Sequence, residues 1–178
     1  MSEESRDCIE CHRQASQSLY EMWGKSKHYG ANIGCYECHR AEEDDPDVLE
    51  HYDYDISVIV SPKDCARCHS KEVEEFLRSR HAKAGQIAGS LDLQLADVVE
   101  GNHGFVTPGF PEGNSAATVS GCWSCHGSPV KVLEDGHLDP ATWPNTGIGR
   151  LNPDGTEGSC SACHSRHAFS AEQARHPD

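Results

Sequence analysis

The sequence is short of the residues that usually build an interior. Apolar side chains make up 36% of its 178 residues and aromatic ones 7%, so a conventional hydrophobic core would be thin. It is short of positive charge as well. Lysine and arginine number 15 against 29 aspartates and glutamates, a formal net charge of −14. That excludes nucleic acid and anionic membrane surfaces as partners, since both are recognised through basic patches. No stretch approaches the ~18–20 consecutive apolar residues of a membrane span. The opening residues, Met1-Ser-Glu-Glu-Ser-Arg-Asp7, have neither the basic n-region nor the apolar h-region of an export signal. Methionine is nearly missing, with Met1 and Met22 the only two. Finally, the chain has no spare cysteine.

All 10 cysteines fall in one phrase, Cys-x-x-Cys-His, used five times. The copies are Cys8–Cys11–His12, Cys35–Cys38–His39, Cys65–Cys68–His69, Cys122–Cys125–His126 and Cys160–Cys163–His164, here motifs 1 to 5. Zinc sites and thioredoxin-like pairs also use Cys-x-x-Cys. A structural zinc takes two such pairs, or one pair with spaced histidines, and five is odd. A disulfide scaffold has no use for a histidine at a fixed offset. The phrase instead suits covalent haem: two thiols add to the vinyl groups and the adjacent histidine reaches the iron. Five covalently bound haem c groups are therefore expected, one per about 36 residues of the chain.

This changes the meaning of the thin core. The haems become the interior, the polypeptide its casing, and folding depends on haem attachment. The expected fold is a single domain over residues 1–178, mainly α with long ordered loops, packed around the haems. Thioether attachment takes place outside the cytoplasm as a rule. A periplasmic or otherwise extracytoplasmic site is expected, with the export signal replaced by Met1 or belonging to a longer protein. The acidic charge suits a basic redox partner, such as a cytochrome or a quinone-linked carrier, recruited by electrostatic steering.

Residues 13–28 read as a helix with an apolar stripe of Ala15, Leu19, Met22 and Trp23. After motif 3 the pattern recurs in Val73, Phe76 and Leu77. Aligning Trp23 with Phe76 also aligns Ser26 with Ser79 and His28 with His81, a short internal repeat. Residues 41–55 carry eight acidic side chains and Pro46, which predicts a solvated acidic loop, or a docking patch for a partner. Ile56–Val60 is β-prone. Ser90 opens a short helix through Val99, and Ser170-Ala-Glu-Gln173 opens a last one. Residues 101–121 and 138–159 read as long loops, ordered by wrapping haem edges.

Twelve histidines less the five of the motifs leave His28, His51, His81, His103, His137, His167 and His176. With so little methionine, bis-histidine ligation and low potentials are expected. His28 and His81 come first as distal ligands, then His51, His103 and His167; His137 and His176 read as surface residues. Motif 4 follows the longest gap and is the candidate for an iron with an open distal face.

Several stretches resemble a known family. Glu100–Gly109, Gly121–Gly127, Asp139–Gly155, Gly158–His167 and Phe169–Arg175 are similar to the octahaem hydroxylamine oxidoreductases, which include hydrazine dehydrogenases. The resemblance implies a mainly helical fold, often trimeric, with relay haems and one catalytic haem at the fourth motif. Cys122, Cys125 and His126 would then hold the reaction site, acting on hydroxylamine, hydrazine or nitrogen oxides. The chain departs from that family in three ways. It has five motifs where the family has eight. The family's distal Asp-His pair, its cross-linking tyrosine and its long C-terminal helices have no counterpart. Without a positioned acid or base, multi-electron proton-coupled chemistry is poorly served. Two non-enzymatic readings therefore stand beside the oxidoreductase: a pentahaem electron carrier, and a haem-stacking filament subunit.

Overall fold

A computed structural model describes residues 1–85, 130, 132–133, 139 and 147–170. The chain divides into two compact units, residues 1–60 with 163–178, and residues 61–162.

The first unit opens with helix α1 (Glu3–Ala15), which contains motif 1. Ser2 caps it by accepting a hydrogen bond from Ser5 N at 3.1 Å, and Glu3 and Glu4 complement the helix dipole in the first turn. The helix therefore starts before the motif, whereas the apolar stripe predicts one starting after it. The predicted 13–28 segment is broken at Ser16 and again after Gly24, giving α2 (Gln17–Gly24) and α3 (Lys27–Gly30). Of the stripe, Trp23 is buried while Leu19 is 42% exposed. Trp23 is anchored through Nε1–H to Ile33 O at 3.0 Å and by an edge contact with Tyr29.

Motif 2 forms α4 (Cys35–His39). Beyond it the acidic stretch is not a loop throughout. Strands β1 (Val48–His51) and β2 (Tyr54–Ser57) pair antiparallel, with His51 opposite Tyr54. Apolar residues alternate weakly here, and the two-residue turn carries Tyr52 at φ 56° where glycine or asparagine is usual. Two of the acidic residues are buried because they hold backbone. Asp45 Oδ2 accepts from Glu42 N at 2.9 Å, and Asp47 Oδ2 from Ile59 N at 3.0 Å. The β-prone segment is half strand: Ile56 and Ser57 are in β2, and Val58–Val60 lie beyond it.

The second unit is built on α5 (Pro62–Leu77), which contains motif 3 and bends at His69. Its start is fixed by three features: Ser61 at the cap, Pro62 in the first turn, and Asp64 Oδ2 accepting from Ser61 N at 2.8 Å. Residues 147–162 form a tight loop with a bridge between Leu151 and Glu157, ending in a short 3-10 turn, Cys160–Ala162. Ser61 Oγ donates to Asp154 Oδ2 at 2.6 Å, tying this loop to the start of α5.

The internal repeat is realised in hydrogen bonds. Ser26 N donates to Trp23 O and Ser79 N to Phe76 O, both at 2.8 Å. Each serine hydroxyl then accepts from the amide three residues on, Tyr29 N at 3.0 Å and Ala82 N at 3.4 Å. Only five apolar side chains are buried among the described residues: Trp23, Ile59, Val73, Ala82 and Val130. The predicted helices after Ser90 and Ser170 and the 101–121 loop lie outside the described residues.

Candidate haem-attachment sites

Motifs 1, 2, 3 and 5 are described; motif 4 (Cys122, Cys125, His126) and His103, His137 and His176 lie outside the described residues. The eight described cysteines form no disulfide. Motifs 1, 2 and 3 are helical and motif 5 begins in the 3-10 turn. A helix or tight turn sets two thiols three positions apart on one side, where one porphyrin edge can meet both.

In the first unit two histidines of the motifs each meet a histidine from outside them. The His12 and His51 rings have centroids 6.0 Å apart with planes inclined by 35°. His39 and His167 are 6.3 Å apart at 23°. A metal between two opposed imidazole nitrogens, bonded at about 2 Å to each with the centroids about 1 Å behind, sets centroids about 6 Å apart. Both pairs fit an iron.

Local structure explains each placement. Tyr54 hydroxyl donates to Asp7 Oδ2 at 2.6 Å, pinning the hairpin to α1 one residue before Cys8. His51, across the register from Tyr54, is thereby carried to His12. His39 Nδ1 lies 3.0 Å from Ser57 O. A carbonyl only accepts, so Nδ1 carries the proton and Nε2 is left with the lone pair a metal needs. Burial, with His39 and Arg166 nearby, pushes His167 below its ordinary value. His28, first among the expected distal ligands, meets Phe169 edge-on at 5.1 Å. His81 follows α5 in an exposed turn.

Two residues inside and near the motifs were not singled out by sequence. Glu37, between Cys35 and Cys38, accepts from Ser2 N at 2.6 Å, Ser5 Oγ at 2.5 Å and Gly34 N at 2.9 Å. It joins α4 to α1, and Ser5 Oγ accepts from Tyr36 N at 2.8 Å in return. Burial opposes ionisation, but these hydrogen bonds outweigh it and bring the Glu37 carboxyl down to about 2. The signal was present in Gly34-Cys-Tyr-Glu37, a capping-box spacing hidden inside a haem phrase. The other residue is Arg150, at 1% exposure.

The thiols differ between motifs. Burial, then the neighbouring Cys8 and Cys38 sulfurs, pushes Cys35 up to about 11. Cys160 is brought down to about 7 by a hydrogen bond from Cys65, with help from the Arg150 charge. The first cysteines of motifs 3 and 5 thus lie together in the second unit.

Four described phrases in a chain with so little apolar interior, together with the paired imidazoles, define a multihaem c-type cytochrome. Residues 1–177 match the family of outer membrane cytochromes described as MtrC/MtrF-like, domains II/IV. The chain belongs to that family. It is also similar to a solved structure described as a hypothetical multiheme protein, with a TM-score of 0.78 and 31% identity over 99% of this chain. The chain spans 42% of that protein's length. No curated protein matches it. Covalent haem c and electron transport go with the family. The hydroxylamine chemistry expected from the octahaem resemblance does not follow from these relatives. Among the described residues no helix is long and apolar enough to cross a membrane.

Proposed function

We propose that the chain is an electron-transfer module carrying five haems, working outside the cytoplasm and exchanging electrons with a basic redox protein. The observation that carries this reading is the pairing of a motif histidine with a second imidazole about 6 Å away, His12 with His51 and His39 with His167. Haem c supplies one-electron iron chemistry when bound. The residues would supply the rest. Each histidine pair would supply both protein ligands of one iron, leaving no place there for a substrate and favouring low potentials. Ser57 O holds the His39 tautomer that binds, and Tyr54 with Asp7 holds the hairpin that delivers His51. His28, His81 and His103 are left for the remaining irons, and motif 4 (Cys122, Cys125, His126) is the one that would differ if one iron were open.

The test is spectroscopic. In the haem-loaded chain, a relay predicts low-spin iron throughout and an absorbance spectrum that added hydroxylamine leaves unchanged. A high-spin signal from one haem in five, shifted by hydroxylamine, would instead establish the oxidoreductase reading centred on Cys122, Cys125 and His126.

A further inference from the structure

Arg150 is the largest fully buried side chain among the described residues. A guanidinium stays protonated at any ordinary pH, and burying it is costly unless the surroundings answer the charge. Here a built loop holds it. Its Nε donates to Asn152 Oδ1 at 2.6 Å. Asn152 Nδ2 donates in turn to Thr156 O at 3.1 Å and Gly158 O at 3.0 Å. The main chain closes the same loop, with Gly158 N donating to Arg150 O at 2.6 Å and Ser159 N to Ile148 O at 2.9 Å. The next residue is Cys160, the first thiol of motif 5, lying against Cys65 of motif 3. The Arg150 charge already acts on the Cys160 sulfur.

We propose that Arg150 is an electrostatic tuning residue whose buried charge raises the reduction potential of the haem attached through Cys160 and Cys163. This rests on the multihaem electron-transfer reading. Reduction makes an iron site more negative by one charge, so a fixed positive charge nearby favours the reduced form. Burial keeps that interaction strong and poorly screened by salt. The effect stands out in a chain of net charge −14, where most surroundings push potentials down. Electrons entering the module would collect at the motif 5 haem. The haem at Cys65 is next in line to feel the same charge.

The experiment is a redox titration of the haem-loaded chain, followed by haem absorbance, for the natural sequence and for Arg150→Met, Arg150→Lys and Asn152→Asp. Haem per chain is measured first, because a chain without its haems sinks the electron-transfer reading before tuning is tested. Arg150→Met should move one wave to lower potential by at least a tenfold change in its reduction equilibrium, about 59 mV for one electron. Arg150→Lys should retain most of the natural potential. Asn152→Asp changes shape little and sets a carboxylate against the guanidinium, so it should lower the same wave even if Arg150→Met fails to load haem. Waves that coincide with the natural ones in Asn152→Asp, or in loaded Arg150→Met, overturn the proposal.

Discussion

The two units bring different atoms together. In residues 1–60 with 163–178, imidazole rings come together in two pairs, His12 with His51 at 6.0 Å and His39 with His167 at 6.3 Å between centroids. In residues 61–162, the groups that meet are sulfurs, Cys65 and Cys160, beside a buried arginine. The thiols follow suit. Cys35 is pushed up to about 11 by burial and its neighbours, while Cys160 is held at about 7. The first unit thus gathers imidazoles, through a hairpin and a returning C-terminal segment. The second shapes the charge around its attachment thiols. A module that only stored electrons would have no need of this division, whereas one that passes them along gains from unequal sites.

The comparison is broken most completely by removing the thioethers. With every motif cysteine changed to alanine, neither unit should unfold cooperatively, because the five buried apolar side chains described cannot replace the haems as a core. Calorimetry decides this, and a sharp transition in that variant would count against a haem-dependent fold.

A smaller change separates the units. Among the described residues, each has one glycine where another element closes on a motif. An added Cβ at Gly34 would sit 2.5 Å from Ser5 Oγ, and one at Gly158 would enter the Phe76 ring. Gly158 also has φ +94°, which alanine adopts poorly. Gly158→Ala should cost about 3 kcal/mol or more, and Gly34→Ala about 2. Denaturant titration read through haem absorbance should show Gly158→Ala as the more damaging.

These glycines also mark how far the sequence can be read. The five phrases are legible because thioether chemistry demands fixed spacing, and the Trp23/Phe76 repeat because helical packing demands periodicity. The hairpin was hidden by its charge. Asp45 and Asp47 look like solvated acids, yet each is buried holding a backbone amide, and the turn at Tyr52 lacks a glycine signal. The histidine pairings were only partly legible. His51 and His167 ranked behind His28, because their delivery depends on strand register and on a segment more than a hundred residues away in sequence, neither of which periodicity reports. Arg150 was illegible for a similar reason: its burial is a property of the loop closed by Asn152.

The ligand pairs can be sharpened one at a time. His167→Ala should leave the iron of motif 2 five-coordinate, turning about one-fifth of the haem absorbance high-spin and raising that site's potential. His51→Ala should do the same at motif 1. Imidazole added to either variant should restore the low-spin spectrum. If either histidine can be removed with the spectrum intact, the pairing for that iron is wrong, and the facing rings in the first unit need another explanation.

The smallest expected effect concerns the link between motifs 1 and 2. The Glu37 carboxyl titrates at about 2 in the folded chain against an ordinary 4.5. A depressed acid stabilises the fold wherever the carboxylate is ionised in both states, which is above the ordinary value. That contribution shrinks as the pH falls from 4.5 and is gone once the folded group is protonated, near 2. Since the side chain is 26% exposed, solvent screening limits its worth to about 1–2 kcal/mol. Glu37→Gln should therefore lower the unfolding free energy by about that amount at neutral pH. It should also flatten the acid dependence of the first unit through the same window. A Glu37→Gln chain that loses stability with acid as steeply as the natural one would show that the tie between α1 and α4 does not depend on the charge.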